Sequence, residues 1–497
     1  MLSGHDAQRL LVRLYDQLAR RKHDVSKFEN YFRGEQPLAY ASKEWSKFHA
    51  ERFRNFSDNW CGVVASSPAE RLKVNGIRLG TDNDVLSDDE AALMRDWHVN
   101  EMDTQSSQGF LHSVVAARSF VTVWYSDDDL DPVSYEWERA DEVIVAYEPG
   151  ARRQRKAALK TWCDGSEEYA NLYTADEIWK FERKRPESKS SRVLLNTGET
   201  VPSVITEGSG TDWMPREVPG EVWPLPNPLG AVPIVEFPNR PVLGGEPVSD
   251  IAGTVAMQDA INLLWAYLFA AADFASMPAR VVMGQEPPKI PILDANGQKV
   301  GEKQVDSDEL KRGRMLWLTG QNTSIGQWEP ARLDGFADIV NRCVRHVAAQ
   351  TRTPVHYIVG ELNNVNGETL LAGETGLVNK VTESHLSYGP AAREMFRLGA
   401  LVRGNADLAA SLKTARIIWN DPATHTLAQI SDAALKDRQV GFPFEWIAQK
   451  RYGLTPEEVA TLLQLRQNEA DRVLGGDVAA LLGPKPDVPP MDTTSGP

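Results

Sequence analysis

The residues able to do chemistry in this chain of 497 are scattered rather than grouped. No Gly-Lys dipeptide occurs, so no Walker-type phosphate loop can form, and HExxH, GxSxG and CxxC are absent as well. Gly208-Ser209-Gly210 lacks the third glycine and preceding strand of a dinucleotide fingerprint and reads as linker. Asp306-Ser307-Asp308-Glu309 could attract a cation, but an acidic turn in water is the commoner use. His346 and His356 have no carboxylate partner on a shared face, which points to ordinary structural roles. Cys61, Cys163 and Cys343 are far apart and odd in number, which fits a reducing compartment better than a disulfide framework or zinc site. No catalytic residue, metal or cofactor is expected, and the chain reads as a non-enzyme.

Three polar groups remain. Arg342, Arg345 and Arg352 fall within an arc of about 80° on a helical wheel, opposite Phe336, Val340, Cys343 and Val347. Glu361-Leu362-Asn363-Asn364-Val365-Asn366 is a short polar segment bounded by Gly360 and Gly367, with Asn366 placed to cap a following helix. Lys299, Lys303, Lys311, Arg312 and Arg314 share a charged stretch with Asp306, Asp308 and Glu309.

The elements that must position these groups follow from periodicity. Residues 1–115 read mainly as helix, with Leu10, Leu11, Leu14 and Leu18 at helical spacing. From Phe120 the texture becomes β-branched and aromatic, and short strands are predicted at 120–125, 133–137, 143–147, 157–162, 169–173 and 178–181. Residues 185–230, rich in Ser, Gly, Pro and Glu, read as an exposed loop, with Trp213 and Trp223 pinning it. A helix of roughly 40 Å is expected over 250–276, then short strands over 277–332. A second helix follows at 333–351, and a longer one at 368–402 with a kink at Pro390. A strand over 415–419, short helices to about 482 and a Pro-rich tail complete the chain. The most apolar run, Leu263 to Ala272, is half the length of a membrane helix, so no transmembrane segment is expected. The fold class is α+β, in two to four domains.

Net charge is −15, which argues against a tight DNA binder and leaves room for a wall that DNA slides past. Fourteen Trp favour protein–protein contact.

Several segments together resemble the portal proteins of long-tailed phages, especially those of actinobacterial phages. They are Phe28 to Leu38 with its Gly34-Glu35-Gln36-Pro37-Leu38, Asn59 to Ile77 with Ala69-Glu70-Arg71-Leu72, Asn100 to Asp103, and Ala117 to Val121. The strongest are Gly230 to Pro241, then Asp250-Ile251, then Gln258-Asp259-Ala260-Ile261-Asn262. The family often has Gly where this chain has Ala117, which puts a local backbone contact in doubt. The resemblance spans roughly residues 28–400; the last hundred residues match only in being helical.

The resemblance implies a portal-type fold. Its parts are an N-terminal α+β wing (1–249), a first stem helix (250–276), a small β clip (277–332), a second stem helix (333–352) and a tunnel loop (353–367). A long kinked helix (368–402), a return to the wing (403–430), a helical crown (431–482) and a disordered tail (483–497) follow. It implies a homo-oligomeric ring, usually of about twelve subunits, at one capsid vertex of the virion, assembled in the host cytoplasm. Double-stranded DNA would pass through it in packaging and ejection. Partners implied are the terminase large subunit, a head-completion or tail-adaptor protein, and capsid and scaffolding proteins, with no membrane. The segment 361–366 would then line the channel, and the 299–314 cations would serve docking. Arg342, Arg345 and Arg352 would either face phosphates or pair with the acidic helix 250–276 of the same or next subunit. Alternative readings are another phage head or adaptor protein, which the interrupted pair of long helices disfavours, and a packaging enzyme, which the missing motifs disfavour.

Overall fold

The computed structural model describes residues 2–39, 56–80, 87–128, 130–184, 189–194, 200–205, 213–276, 280–283, 289–293, 299–304, 315–318, 324–327, 333–359, 367–423 and 425–481. It is a mixed helix and sheet structure whose described residues form three buried clusters, the largest rich in helix and a second based on a sheet.

Helix α1 (Gly4–Arg33) starts at a Ser3 cap, whose side chain accepts from the Asp6 amide, and stops at Gly34 in the left-handed region. Its Ala7, Leu10, Leu11, Leu14 and Leu18 stripe packs on a sheet whose main path is β4 (Val143–Glu148), β5 (Ala151–Asp164), β6 (Glu167–Tyr173) and β7 (Glu177–Lys184), all antiparallel. The free edge of β7 is finished by two short pieces, β10 (Met214–Pro215) and β11 (Leu225–Pro226). Both fall in the segment 185–230, read above as an exposed loop. Trp213 is buried there, as the pinning role expected of it requires, but the structure differs in that β8 (Lys189–Leu194) and β9 (Thr200–Ile205) pair as an antiparallel hairpin. The turn-forming composition masked the β-branched residues Val193, Val201, Val204 and Ile205 that favour a strand.

The larger core lies under a three-stranded sheet of order β12-β2-β3, formed by β2 (Arg118–Tyr125), β3 (Val133–Glu138) and β12 (Ile234–Pro238). Helices α2 (Trp60–Ala69), α3 (Asp88–Val99) and α4 (Met102–Ala116) contribute to it, with the short strand β1 (Val74–Arg78). Gly109 of α4 meets the ring of Trp137, and a Cβ there would sit 2.0 Å from the indole. α4 ends at Ala117, whose φ of 70° is the left-handed conformation that glycine adopts freely. The glycine expected at this position by resemblance thus has a backbone reason.

Among the described residues no strand lies beside the outer edge of β3, yet polar groups along it are paired. Asn100 donates to the Val133 carbonyl (2.9 Å) and accepts from the Tyr135 amide (2.9 Å). Gln105 accepts from the Trp137 amide (3.2 Å) and approaches the Tyr135 carbonyl at 3.5 Å. Two side-chain amides thus stand in for a missing strand.

After β12 the chain turns through 250–254 into α5 (Val255–Ser276), shorter at its start than the helix read from sequence. Two small sheets follow: β16 (Met315–Leu318), β13 (Arg280–Met283) and β17 (Ser324–Gln327) in one, β14 (Lys289–Leu293) with β15 (Lys299–Gln304) in the other. α6 (Asp334–Thr351) packs along α5 and ends at Arg352, itself left-handed with φ 56°. α7 (Val355–Val359) lies inside the stretch read as loop. α8 (Gly367–Val402) is helical throughout, including Gly389 and Pro390. α9 (Ala406–Ser411) leads to β18 (Arg416–Trp419), which pairs antiparallel with β1 and returns the chain to its N-terminal part. α10 (Leu427–Val440), α11 (Phe444–Arg451) and α12 (Pro456–Leu481) end the described chain. The tail from 483 lies outside the described residues.

Candidate functional site

The most densely bonded polar residues gather where α5, α6 and α8 meet the N-terminal part. On α5, Gln258, Asp259, Asn262 and Trp265 fall at positions i, i+1, i+4 and i+7, one face of a helix. That face grips the segment Ser57–Trp60. Gln258 accepts from the Trp60 amide (2.9 Å), and Asn262 accepts from the Asp58 amide (2.9 Å). The Asp58 carboxylate in turn receives the indole N–H groups of Trp60 (3.0 Å) and Trp265 (2.8 Å). Tyr31, near the end of α1, donates its hydroxyl to Asp259 at 2.8 Å. Burial raises the Asp259 carboxyl above its ordinary range, against the Tyr31 bond that favours the anion. Beneath this face the Cys61 thiol lies 3.5 Å from the Thr254 hydroxyl, and burial pushes it up to about 11, an inert core thiol.

A second cluster ties the start of α5 to α6 and α8. Buried Asp250 pairs with Lys380 of α8 at 2.6 Å and accepts from Asn239 at 2.9 Å. The Lys380 ammonium also reaches the Thr351 carbonyl at the end of α6 (3.3 Å). Tyr388 donates to Asn239 (3.1 Å) and lies 3.0 Å from the Ser113 hydroxyl, which bonds the Phe237 carbonyl (2.7 Å). One lysine therefore joins three helices around a buried carboxylate. Breaking such a pair from one side leaves an uncompensated charge. The arrangement positions helices; it holds no nucleophile–base pair, and among the described residues no group of three or more His, Cys, Asp or Glu converges for a metal.

The residues singled out from sequence fall in different places. Arg342 and Arg345 are exposed on α6 and make no ion pair among the described residues. Arg352 reaches Glu383 of α8, 3.2 Å to each oxygen, both side chains more than half exposed. Of the acids on the helix read over 250–276, Asp250 precedes α5 and pairs with Lys380, and Asp259 accepts from Tyr31. Lys299 and Lys303 stand on β15, opposite Leu293 and Ile290. Lys311, Arg312 and Arg314 lie outside the described residues, as do Glu361, Leu362, Asn363, Asn364, Val365 and Asn366, the six positions before α8. Asp306-Ser307-Asp308-Glu309 and Gly208-Ser209-Gly210 also lie outside them. Sequence reasoning noticed Asp250 and Gln258 to Asn262 by resemblance but missed Lys380. Its signal was a lysine within the apolar stripe Leu377, Val381, Tyr388.

The family model described as "Phage portal protein, SPP1 Gp6-like" matches residues 12–472. The portal protein of Mycobacterium phage L5 is 26 % identical over 382 residues, 75 % of this chain and 71 % of that one. The portal protein of Mycobacterium phage D29 is 27 % identical over 394 residues, with the same coverage. Among solved structures, a chain from the virion of a native gene transfer agent particle aligns with TM-score 0.35 at 12 % identity, covering 87 % of this chain and 93 % of that one. A chain from the neck of an empty particle of the same kind gives 0.38 at 11 %, covering 77 % and 85 %. Both scores fall below the level that marks a shared fold.

Proposed function

The chain belongs to the SPP1 Gp6-like family of phage portal proteins, and from that premise we propose that copies of it close into a ring whose lumen carries double-stranded DNA during packaging and ejection. It is a phage portal protein, the head-to-tail connector of the virion, and its relatives carry the same name. What we add concerns how its parts serve that role.

One observation carries the ring. Val255–Asp273 of α5 is apolar and holds no Lys or Arg, and in the single chain most of it is half-buried rather than buried, with Ala256 and Phe269 exposed. Its polar face is already clasped by Ser57–Trp60. A neighbouring copy would complete the burial of its apolar surface at every interface of a closed ring. About twelve copies is the number we favour, from family resemblance. α5 and α6 then act as the stem, with the β13–β17 sheets at its far end. Lys299, Lys303, Lys311, Arg312 and Arg314 with the nearby acids offer a mixed-charge docking surface for the terminase large subunit and later the adaptor. Capsid and scaffolding proteins would meet the remainder at the vertex, during assembly in the host cytoplasm. On this reading the subunit is a passive conduit, with hydrolysis done by a separate motor.

Within this reading, Glu361 to Asn366 line the narrowest part of the channel. Their support is sequence position: they join α7 to α8 in the chain, and they are polar and glycine-bounded. Neutral amides make contacts with phosphate that break quickly. Replacing Asn363 and Asn364 by Lys should leave rings intact but slow packaging, most at low salt, where phosphate attraction is least screened. Packaged DNA length against time at two ionic strengths measures this. Normal kinetics at both would remove the loop from the DNA path.

A further inference from the structure

We propose that each subunit inserts the acidic tip of its β2–β3 hairpin into a basic cleft of the next copy, a contact that rests on the ring reading above.

The cleft, of about 580 Å³, opens between the start of α5, the end of α6, the middle of α8 and the loop after β12. Two exposed arginines flank it, Arg240 and Arg352. Both adopt left-handed backbone conformations, with φ of 43° and 56°. Glycine would sit at either place without the steric cost that a β-carbon brings. Arginine at both positions implies that the side chains have a use. Neither has a strong partner of its own. Arg240 lies 3.8 Å from Asp250, but that carboxylate is already held by Lys380 and Asn239. Arg352 pairs with Glu383 in the open, where water screens the bond and it exchanges readily. Beside them the loop carries Val242 and Leu243, 52 % and 95 % exposed, at the rim. Arg118 anchors that loop through Glu246.

The complementary surface is on the same sheet at its other end. β2 begins at Arg118, opposite Pro238, two residues before Arg240. It ends at Tyr125, eight residues and roughly 25 Å on. There the turn closes through the Ser126 amide and the Pro132 carbonyl (2.8 Å) and presents Asp127, Asp128 and Leu130, the last 82 % exposed. Asp131 in the same turn lies 3.8 Å from the exposed Arg95. A single chain thus carries carboxylates around a protruding leucine at one end of a sheet, and arginines around an apolar rim at the other. Patches that differ and lie on opposite ends cannot satisfy each other within one chain, but they do so head to tail, and that contact generates a ring when the rotation closes.

The test is a disulfide link across the contact, in full-length protein with Cys163→Ser to remove the exposed native thiol. A chain bearing both Leu130→Cys and Val242→Cys should oxidise to a ladder of covalent oligomers. A mixture of the two single variants should stop at linked pairs, and either variant alone should give none. In parallel, Arg240→Glu should raise the concentration needed for half-assembly about tenfold at low salt, and Asp127→Lys with Asp128→Lys in the same chain should restore it. Rings that form normally but give no ladder, with Arg240→Glu assembling like the parent, would overturn the contact while leaving the ring. Failure of the unmodified chain to oligomerise at all would overturn both.

Discussion

At the residue scale the account turns on side chains that do something their type does not usually do. Ala117 is the plainest. It closes α4 in a conformation that costs an alanine about 1 kcal/mol and a glycine nothing. Ala117→Gly should therefore raise stability by roughly 0.5–1 kcal/mol, less the extra freedom glycine gives the unfolded chain. A denaturant midpoint that moves down would contradict the strain. His385 of α8 is stacked flat on Trp419 of β18, with ring centroids 4.6 Å apart and planes 7° from parallel, and its Nε2 is buried without a partner. Burial pushes its pKa down to about 4, against a weak pull from Asp421. The folded chain then resists the proton that the unfolded chain takes up near pH 6.5. Stability from this site is complete above that pH and is lost as pH falls toward 4, by on the order of 1–2 kcal/mol after allowance for partial exposure. Unfolding curves across this window should slope for the parent and flatten for His385→Phe. Equal slopes would show that other groups set the acid response. The sequence exposed neither residue's role: a left-handed alanine and a stacked histidine depend on partners distant in the chain. Ala117 did stand out against the family pattern.

At the element scale, regular patterns were legible and compensations were not. The strands around Phe120, Val133, Val143, Ala157, Tyr169 and Ile178 declared themselves through β-branched and aromatic residues, and the helices through apolar spacing. The β8–β9 hairpin hid in turn-rich composition. The start of the first stem helix was placed five residues early, because the 250–254 turns carry Ile251 in register with the core stripe. Nothing in Asn100 or Gln105 announced that they complete the edge of β3, since that needs the fold to bring α3 and α4 alongside. Asn100→Ala leaves the Tyr135 amide and the Val133 carbonyl without partners, and Gln105→Ala does the same to the Trp137 amide. Each should cost about 1–3 kcal/mol, with faster amide exchange confined to β3. Exchange unchanged at Tyr135 and Trp137 would show that water replaces the side chains at no cost.

At the scale of the whole molecule, the chain makes sense only as one part of a larger body. α5 carries no Lys or Arg, and most of its residues from Val255 to Asp273 are only half-buried in the single chain, with Ala256 and Phe269 exposed. Its polar face is bound to Ser57–Trp60, and Lys380 ties the Asp250 turn before it to α6 and α8. In the proposed channel, a net charge of −15 would keep DNA from adhering to the wall. These features were legible from sequence only as an order of elements: helix, strands, helix, polar loop, long helix. In the ring we propose, the reasons for that order lie in contacts between copies. Direct imaging of the purified full-length protein, by electron microscopy of single particles, tests the claim most simply. The account predicts closed rings of about twelve subunits, with a central hole wide enough for a duplex and α5 buried between neighbours. A population that stays monomeric across protein and salt concentrations, or rings whose lumen is too narrow for a duplex, would contradict it.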